Sequence, residues 1–159
     1  VDNVLFERQD AHKMNYKDNF FDVIYDRRGP TDYPEFFRLL KAGGYFVGIE
    51  IGEKDTKGIK EVFGRGQGYG KWDKSRLEEN KKELTDAGFE VVFTEDYQYD
   101  EYYSSIKDLD TFLQGVPIFE DYDSKKDEKL LKEYVSKNTS AKGINLPRHR
   151  IVTVAIRRI

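Results

Sequence analysis

The sequence predicts an α/β chain with a largely parallel sheet, on three observations. Val23, Ile24 and Tyr25 form a short apolar run suited to a strand buried on both faces. A helical signature follows: Thr31 or Asp32 can cap, Pro34 fits the first turn where a missing N–H costs little, and Phe36, Phe37, Leu39 and Leu40 give an apolar face. Gly43 and Gly44 are then expected to stop that helix, and residues 45–51 make the next apolar run. Two strands joined by one helix are most simply parallel, with a right-handed crossover.

The remaining elements are read in the same way. Residues 3–7 are a short strand candidate, and 15–19 a polar loop in which Asp22, just beyond, holds the strand's amino end. Ile59, Val62 and Phe63 suggest a short helix. The glycine-rich stretch from Gly64 to Gly70 lacks the strand–turn–helix context of a nucleotide-binding loop, and reads as a lid or substrate loop, or as a plain linker. Ser75-Arg76-Leu77-Glu78 is a capping box, and its helix runs to Gly88. Phe89 to Phe93 form the next strand, followed by a segment dense in tyrosine and acid. Two further helices start at Ser105 and Ser124, with Ile106, Leu109, Phe112 and Leu113 on one face and Leu130, Leu131, Tyr134 and Val135 on the other. The last strand covers 151–156.

Composition narrows the functions. In 159 residues, 38% hydrophobic and 36% charged, the 11 Tyr and 11 Phe supply much of the core. A net charge of −3 gives no general attraction to nucleic acid or anionic lipid. Without Cys there are no disulfides, thiolate metal sites or cysteine nucleophiles, and two His, His12 and His149, make a histidine metal site a poor expectation. With no apolar run long enough to span a bilayer, a cytoplasmic protein is expected.

The stretch DNFFDVIYDRRGP…EFFRLLKAGGYFVGIEIGE resembles the fourth strand, following helix and fifth strand of class I S-adenosylmethionine-dependent methyltransferases. The upstream VLFERQDAHKMNYKDNFFD resembles that family's third strand and Asp-Ala pair, and Ala87-Gly88-Phe89 its entry to the sixth strand. The resemblance implies a Rossmann-like sheet in the order 3-2-1-4-5-7-6, mostly parallel with an antiparallel last strand. The glycine-rich first motif would stand before Val1, so the chain is expected to be the C-terminal part of such a domain, lacking its first two strands. The helices over 105–137 exceed the minimal fold and are expected to form a substrate-side insert within one partial domain spanning 1–159.

The resemblance also implies a site. In open α/β sheets ligands bind beyond the carboxyl ends of the strands. Asp10 and Ala11 are implied at the adenine of S-adenosyl-L-methionine, Asp10 otherwise merely ending a strand. Tyr25 is implied near the sulfonium, as a cation–π partner, and Asp26 as an acceptor for cofactor or substrate. Arg27 and Arg28 are candidates for an anionic substrate group, or for a solvated turn bridging to Asp26 or Asp32. Tyr97 is a candidate for stacking on a planar substrate, or for half-buried packing. Arg148 and His149 precede an antiparallel strand and are implied near the substrate; alternatively they are surface charges. If the acceptor must lose a proton, Asp26 and His149 are the candidate bases, His149 because its unperturbed pKa lies near neutrality.

These residues point to methyl transfer to an unidentified acceptor, a small molecule in preference to nucleic acid. The alternatives are an inactive or non-enzymatic module of the same fold, and another nucleotide-binding α/β enzyme. No membrane partner is expected, whereas self-association through exposed sheet edges is.

Overall fold

The computed structural model describes residues 3–158. Its elements in chain order are β1 (Phe21–Arg27), α1 (Tyr33–Leu39), β2 (Leu40–Ile51), α2 (Lys57–Phe63), α3 (Arg76–Asp86), β3 (Glu90–Tyr103), α4 (Ile106–Gly115), α5 (Glu128–Asn138), β4 (Thr139–Ser140) and β5 (Gly143–Ile156). The strands run β1-β2-β5-β3, with β4 on β5. In the implied family order these are strands four, five, seven and six. β1 and β2 are parallel, Val23 opposite Tyr45 and Tyr25 opposite Val47. β5 is antiparallel to β2: Gly43 N–H donates to the Arg157 carbonyl, whereas Gly52, just past the end of β2, donates to the His149 carbonyl.

By its internal contacts the chain divides into two units, one holding the residues through Glu50, Leu77–Glu95 and those from Ile151 on, the other Ile51–Arg76 and Asp96–Arg150. In the first unit, α1 forms as its sequence asks. The Asp32 carboxylate accepts the Glu35 N–H at 3.0 Å, and Pro34 sits in the first turn. The core joins Tyr33, Phe36, Leu40, Phe46, Leu84, Phe89 and Ala155. Its aromatic rings meet edge to face or stacked, Tyr33–Phe46 at 5.5 Å and Phe36–Phe46 at 5.6 Å. Val23, Tyr25 and Tyr45 point the other way and stay 54%, 57% and 43% exposed.

In the second unit α5 packs on α2 and on α4. Ile59, Leu109, Leu113, Leu131, Tyr134 and Leu146 make its core. Ser105 caps α4 by accepting the Asp108 N–H at 3.2 Å while donating to the Asp108 carboxylate at 2.7 Å.

Several expected boundaries move. Gly43 and Gly44 do not end α1, which stops at Leu39 with Leu40 already extended. Leu39 and Leu40 are both fully buried, and Leu40 pairs with Phe21. Between Leu40 and Tyr45, β2 takes five steps while β1 takes two, from Phe21 to Val23, so 41–44 bulge. Gly43, at φ +79°, supplies the left-handed residue that the bulge needs. Residues 3–7 form no strand; Asp10 and Lys13 share one isolated bridge, and Val4, Leu5 and Phe6 are exposed. The third of the capped helices starts at Glu128, not after Ser124. Asp123 accepts the N–H groups of Lys125 and Lys126 in a separate turn. β3 and β5 outrun their apolar runs, so Tyr97, Arg148 and His149 lie within strands.

Candidate functional site

In the first unit a hollow of about 390 Å³ lies along β1. Val23, Ile24, Tyr25 and Asp26, four successive strand residues, all line it. Because side chains alternate in a strand, a hollow touching four in a row follows the strand's edge. β2 is the neighbour of β1 in the sheet among the described residues. Ala11, Met14 and Phe36 add apolar wall, and Glu7, Gln9 and Asp26 add polar groups. Glu7 is already engaged by the Tyr16 hydroxyl and by the Gln9 amide, and the Tyr16 bond, with Gln9 helping, holds its carboxyl below the usual range. Asp26 closes the loop after β1, accepting the Gly29 N–H at 3.0 Å, and Thr31 Oγ1 lies 3.5 Å from its other oxygen. Arg28, at φ +60°, donates its N–H to the Ile49 carbonyl.

The second unit holds a buried ionic cluster. Asp55, His149, Arg148, Arg150 and Lys60 are exposed by only 2%, 1%, 6%, 8% and 4%. Asp55 Oδ1 accepts from Arg148 Nε at 3.1 Å, Arg150 Nη1 at 2.6 Å and the His149 N–H at 2.9 Å. Arg148 also binds Glu101 and lies over the Phe112 ring at 5.3 Å. His149 Nδ1 accepts the Lys54 N–H at 3.2 Å, so its Nε2, 3.2 Å from Asp96 Oδ2, is the donor of the neutral ring. Glu53 Oε2 lies 3.9 Å from Nδ1. Gly52 is required here, because a Cβ at that position would collide with the His149 ring. Burial holds the Lys60 ammonium below the usual lysine range, against the pull of Asp55.

The sequence-predicted residues therefore separate. Ala11, Tyr25 and Asp26 meet at the first unit's hollow. Asp10 sits in the adjoining turn, accepting the His12 N–H at 3.0 Å. Arg27 and Arg28 are exposed at the end of β1, and Tyr97 is exposed on β3. Arg148 and His149 are buried in the second unit's cluster and are not surface charges. Sequence reasoning missed Asp55, Lys60 and Arg150. The one signal available was Asp55 following Glu53 just past a strand end, and nothing local marks it as buried.

Among the described residues, no group of three or more His, Cys, Asp or Glu is placed to hold a metal ion, and no helix is long and apolar enough to cross a membrane.

No protein-family model and no curated protein matches the chain. Solved structures do. A methyltransferase candidate of Bacillus halodurans matches with a TM-score of 0.63 at 15% identity, over 96% of this chain and 71% of its own. YcgJ of Bacillus subtilis matches at 0.62 and 14%, over 99% and 72%. A candidate sarcosine dimethylglycine methyltransferase of Galdieria sulphuraria matches at 0.53 and 13%, over 99% and 61%. At these identities the likeness is one of fold: the chain is an α/β protein with the sheet of class I methyltransferases.

Proposed function

We propose that this chain belongs to an S-adenosyl-L-methionine-dependent methyltransferase and acts as part of a longer polypeptide. The observation that carries this reading is the hollow beside β1. Its volume lies within the range of small-ligand sites, about 300–1,000 Å³. Its walls are apolar, and its polar groups are a few acceptors, two of them carboxylates. That chemistry suits a ligand that is flat and apolar at one end and cationic near the other, as this cofactor is.

When bound, the cofactor supplies a methyl group activated by a sulfonium. The chain supplies placement. Ala11, with Asp10 in the same turn, takes the adenine. Tyr25 turns its ring to the cation, and Asp26 accepts a hydrogen bond with the lone pairs that Gly29 and Thr31 leave. Arg27 and Arg28, exposed at the strand end, orient an anionic acceptor. In the second unit, Tyr97, Arg148 and His149 and the helices α4 and α5 are assigned to substrate recognition by the resemblance alone. Asp26 receives a proton where the acceptor carries one. A small-molecule acceptor is favoured over nucleic acid by the net charge of −3.

Calorimetric titration of S-adenosyl-L-methionine into wild type, Asp10→Ala and Asp26→Ala tests the assignment. Loss of a buried hydrogen bond costs about 1–3 kcal/mol, so we expect each variant to bind about tenfold more weakly or worse. Unchanged affinity removes that residue from the site. No heat from wild type at any concentration reached would favour a non-enzymatic module of the same fold.

A further inference from the structure

Lys60 is an anomaly in the second unit. It is buried, it is in no ion pair among the described residues, and its Nζ donates only to a neutral acceptor, the Asp55 carbonyl, at 2.9 Å. A buried cation is costly unless a counter-charge meets it. Asp55 acts on Lys60 only from beyond ion-pair distance, and the ammonium's one hydrogen bond goes to a neutral carbonyl. The carboxylates of Asp55 and Glu101 are taken by Arg148 and Arg150. The nearby Glu53 and Asp96 carboxylates face His149. Arg150 is also incompletely used. Its Nη1 serves Asp55 and the His149 carbonyl, while Nε and Nη2 have no partner among the described residues and are not sealed from solvent. Two N–H groups of one guanidinium edge form a fork that fits a carboxylate.

An aromatic corner adjoins this charge. The Lys60 and Lys57 ammonium groups lie 5.9 Å and 5.8 Å from the centre of the Trp72 ring, and Tyr69 meets Trp72 edge-on at 5.8 Å. Trp72 is half-buried and Tyr69 exposed, so the corner is open. The glycine-rich loop that carries Tyr69 is held at one point by the Gln67 N–H on the Ile118 carbonyl at 2.8 Å.

We propose that the second unit holds a site for a small planar carboxylate, with Lys60 and the open edge of Arg150 as its anion grip and Trp72 as its apolar wall. The role of that ligand in the function proposed above rests on that reading. The binding does not, and the two fail separately.

Sodium benzoate titrated into the full chain at constant ionic strength tests the site, with Trp72, the chain's only tryptophan, as the fluorescent reporter. We expect a saturable change with a dissociation constant below about 1 mM. Lys60→Met and Arg150→Lys should each weaken it about tenfold or more, the second because lysine cannot present the fork. Acetate, which has no flat body, should bind more weakly. A linear response, equal affinity in wild type and both variants, or acetate binding as tightly as benzoate overturns the site. If the melting curve shows that Arg150→Lys does not fold, Lys60→Met decides, with saturation transfer observed on benzoate itself as a readout that does not use Trp72. Benzoate binding without cofactor binding would leave this site standing and remove the methyltransferase reading.

Discussion

Asp55 gathers three donors on one carboxylate oxygen, and those donors come from residues 93 to 95 positions further along the chain. Removing its charge leaves Arg148 and Arg150 buried without their common partner, so we expect Asp55→Asn to cost about 3–5 kcal/mol in chemical denaturation. A loss under 1 kcal/mol would show that the cluster is relaxed by water. Gly52→Ala drives a methyl group into the His149 ring, and by the usual cost of overpacking should lose about 1–3 kcal/mol in the same assay. The close approach of the His149 ring at Gly52 and the burial of Asp55 were not legible in the sequence. Asp55 is one of 30 acidic residues, and burial decided by partners more than 90 positions away leaves no local trace. Arg148 and His149 were noticed, but for their place before an apolar run. Their surroundings came only with the strand that contains them.

At the scale of elements, local chemistry was legible and long-range chemistry was not. Asp32, Pro34 and Ser105 announce the starts of α1 and α4, because a cap acts within three residues of itself. The end of α1 is different. Arg157 Nη1 reaches back to the carbonyls of Phe37 at 2.9 Å and Arg38 at 3.2 Å and also binds that of Leu40, while the guanidinium carbon lies 4.6 Å from the Phe37 ring centre. A cation on the last carbonyls favours the helix end. We expect Arg157→Met to lower stability by about 1–2 kcal/mol, and no change would make that cap ornamental. In α5, Tyr134 is buried with its hydroxyl on the Asn145 carbonyl at 2.8 Å, and burial, with Asp100 adding to it, raises its pKa from about 10 to about 12. The fold thus favours the neutral phenol. Its contribution is whole below pH 10 and is lost as pH rises from about 10 to about 12. Urea denaturation across pH 9–12 should show wild type losing up to about 3 kcal/mol more than Tyr134→Phe. Parallel losses in the two proteins would mean that Tyr134 ionises as freely folded as unfolded.

For the molecule as a whole, the order β1-β2-β5-β3 was legible through the resemblance, since each strand's apolar run was in the sequence and the family order fixed their neighbours. The strand expected over 3–7 was not found. Its apolar residues Val4, Leu5 and Phe6 have no sheet neighbour and stay exposed, because a strand is made by its pairing and not by its composition alone. β1 keeps exposed Val23 and Tyr25 beside the hollow. An open edge with apolar side chains recruits another strand. We therefore expect light scattering after size exclusion to give a mass above that of the 18.7 kDa monomer at tens of micromolar, reduced by Val23→Lys. A monodisperse monomer would remove self-association. The central claim, that the hollow beside β1 receives S-adenosyl-L-methionine, is tested most directly by amide chemical-shift mapping, which detects weak binding as well as tight. On adding the cofactor, the amides of Ala11, Ile24, Tyr25 and Asp26 should shift saturably while those of Leu109, Leu113 and Leu131 stay fixed. Shifts confined to the second unit, or none at millimolar cofactor, would contradict it.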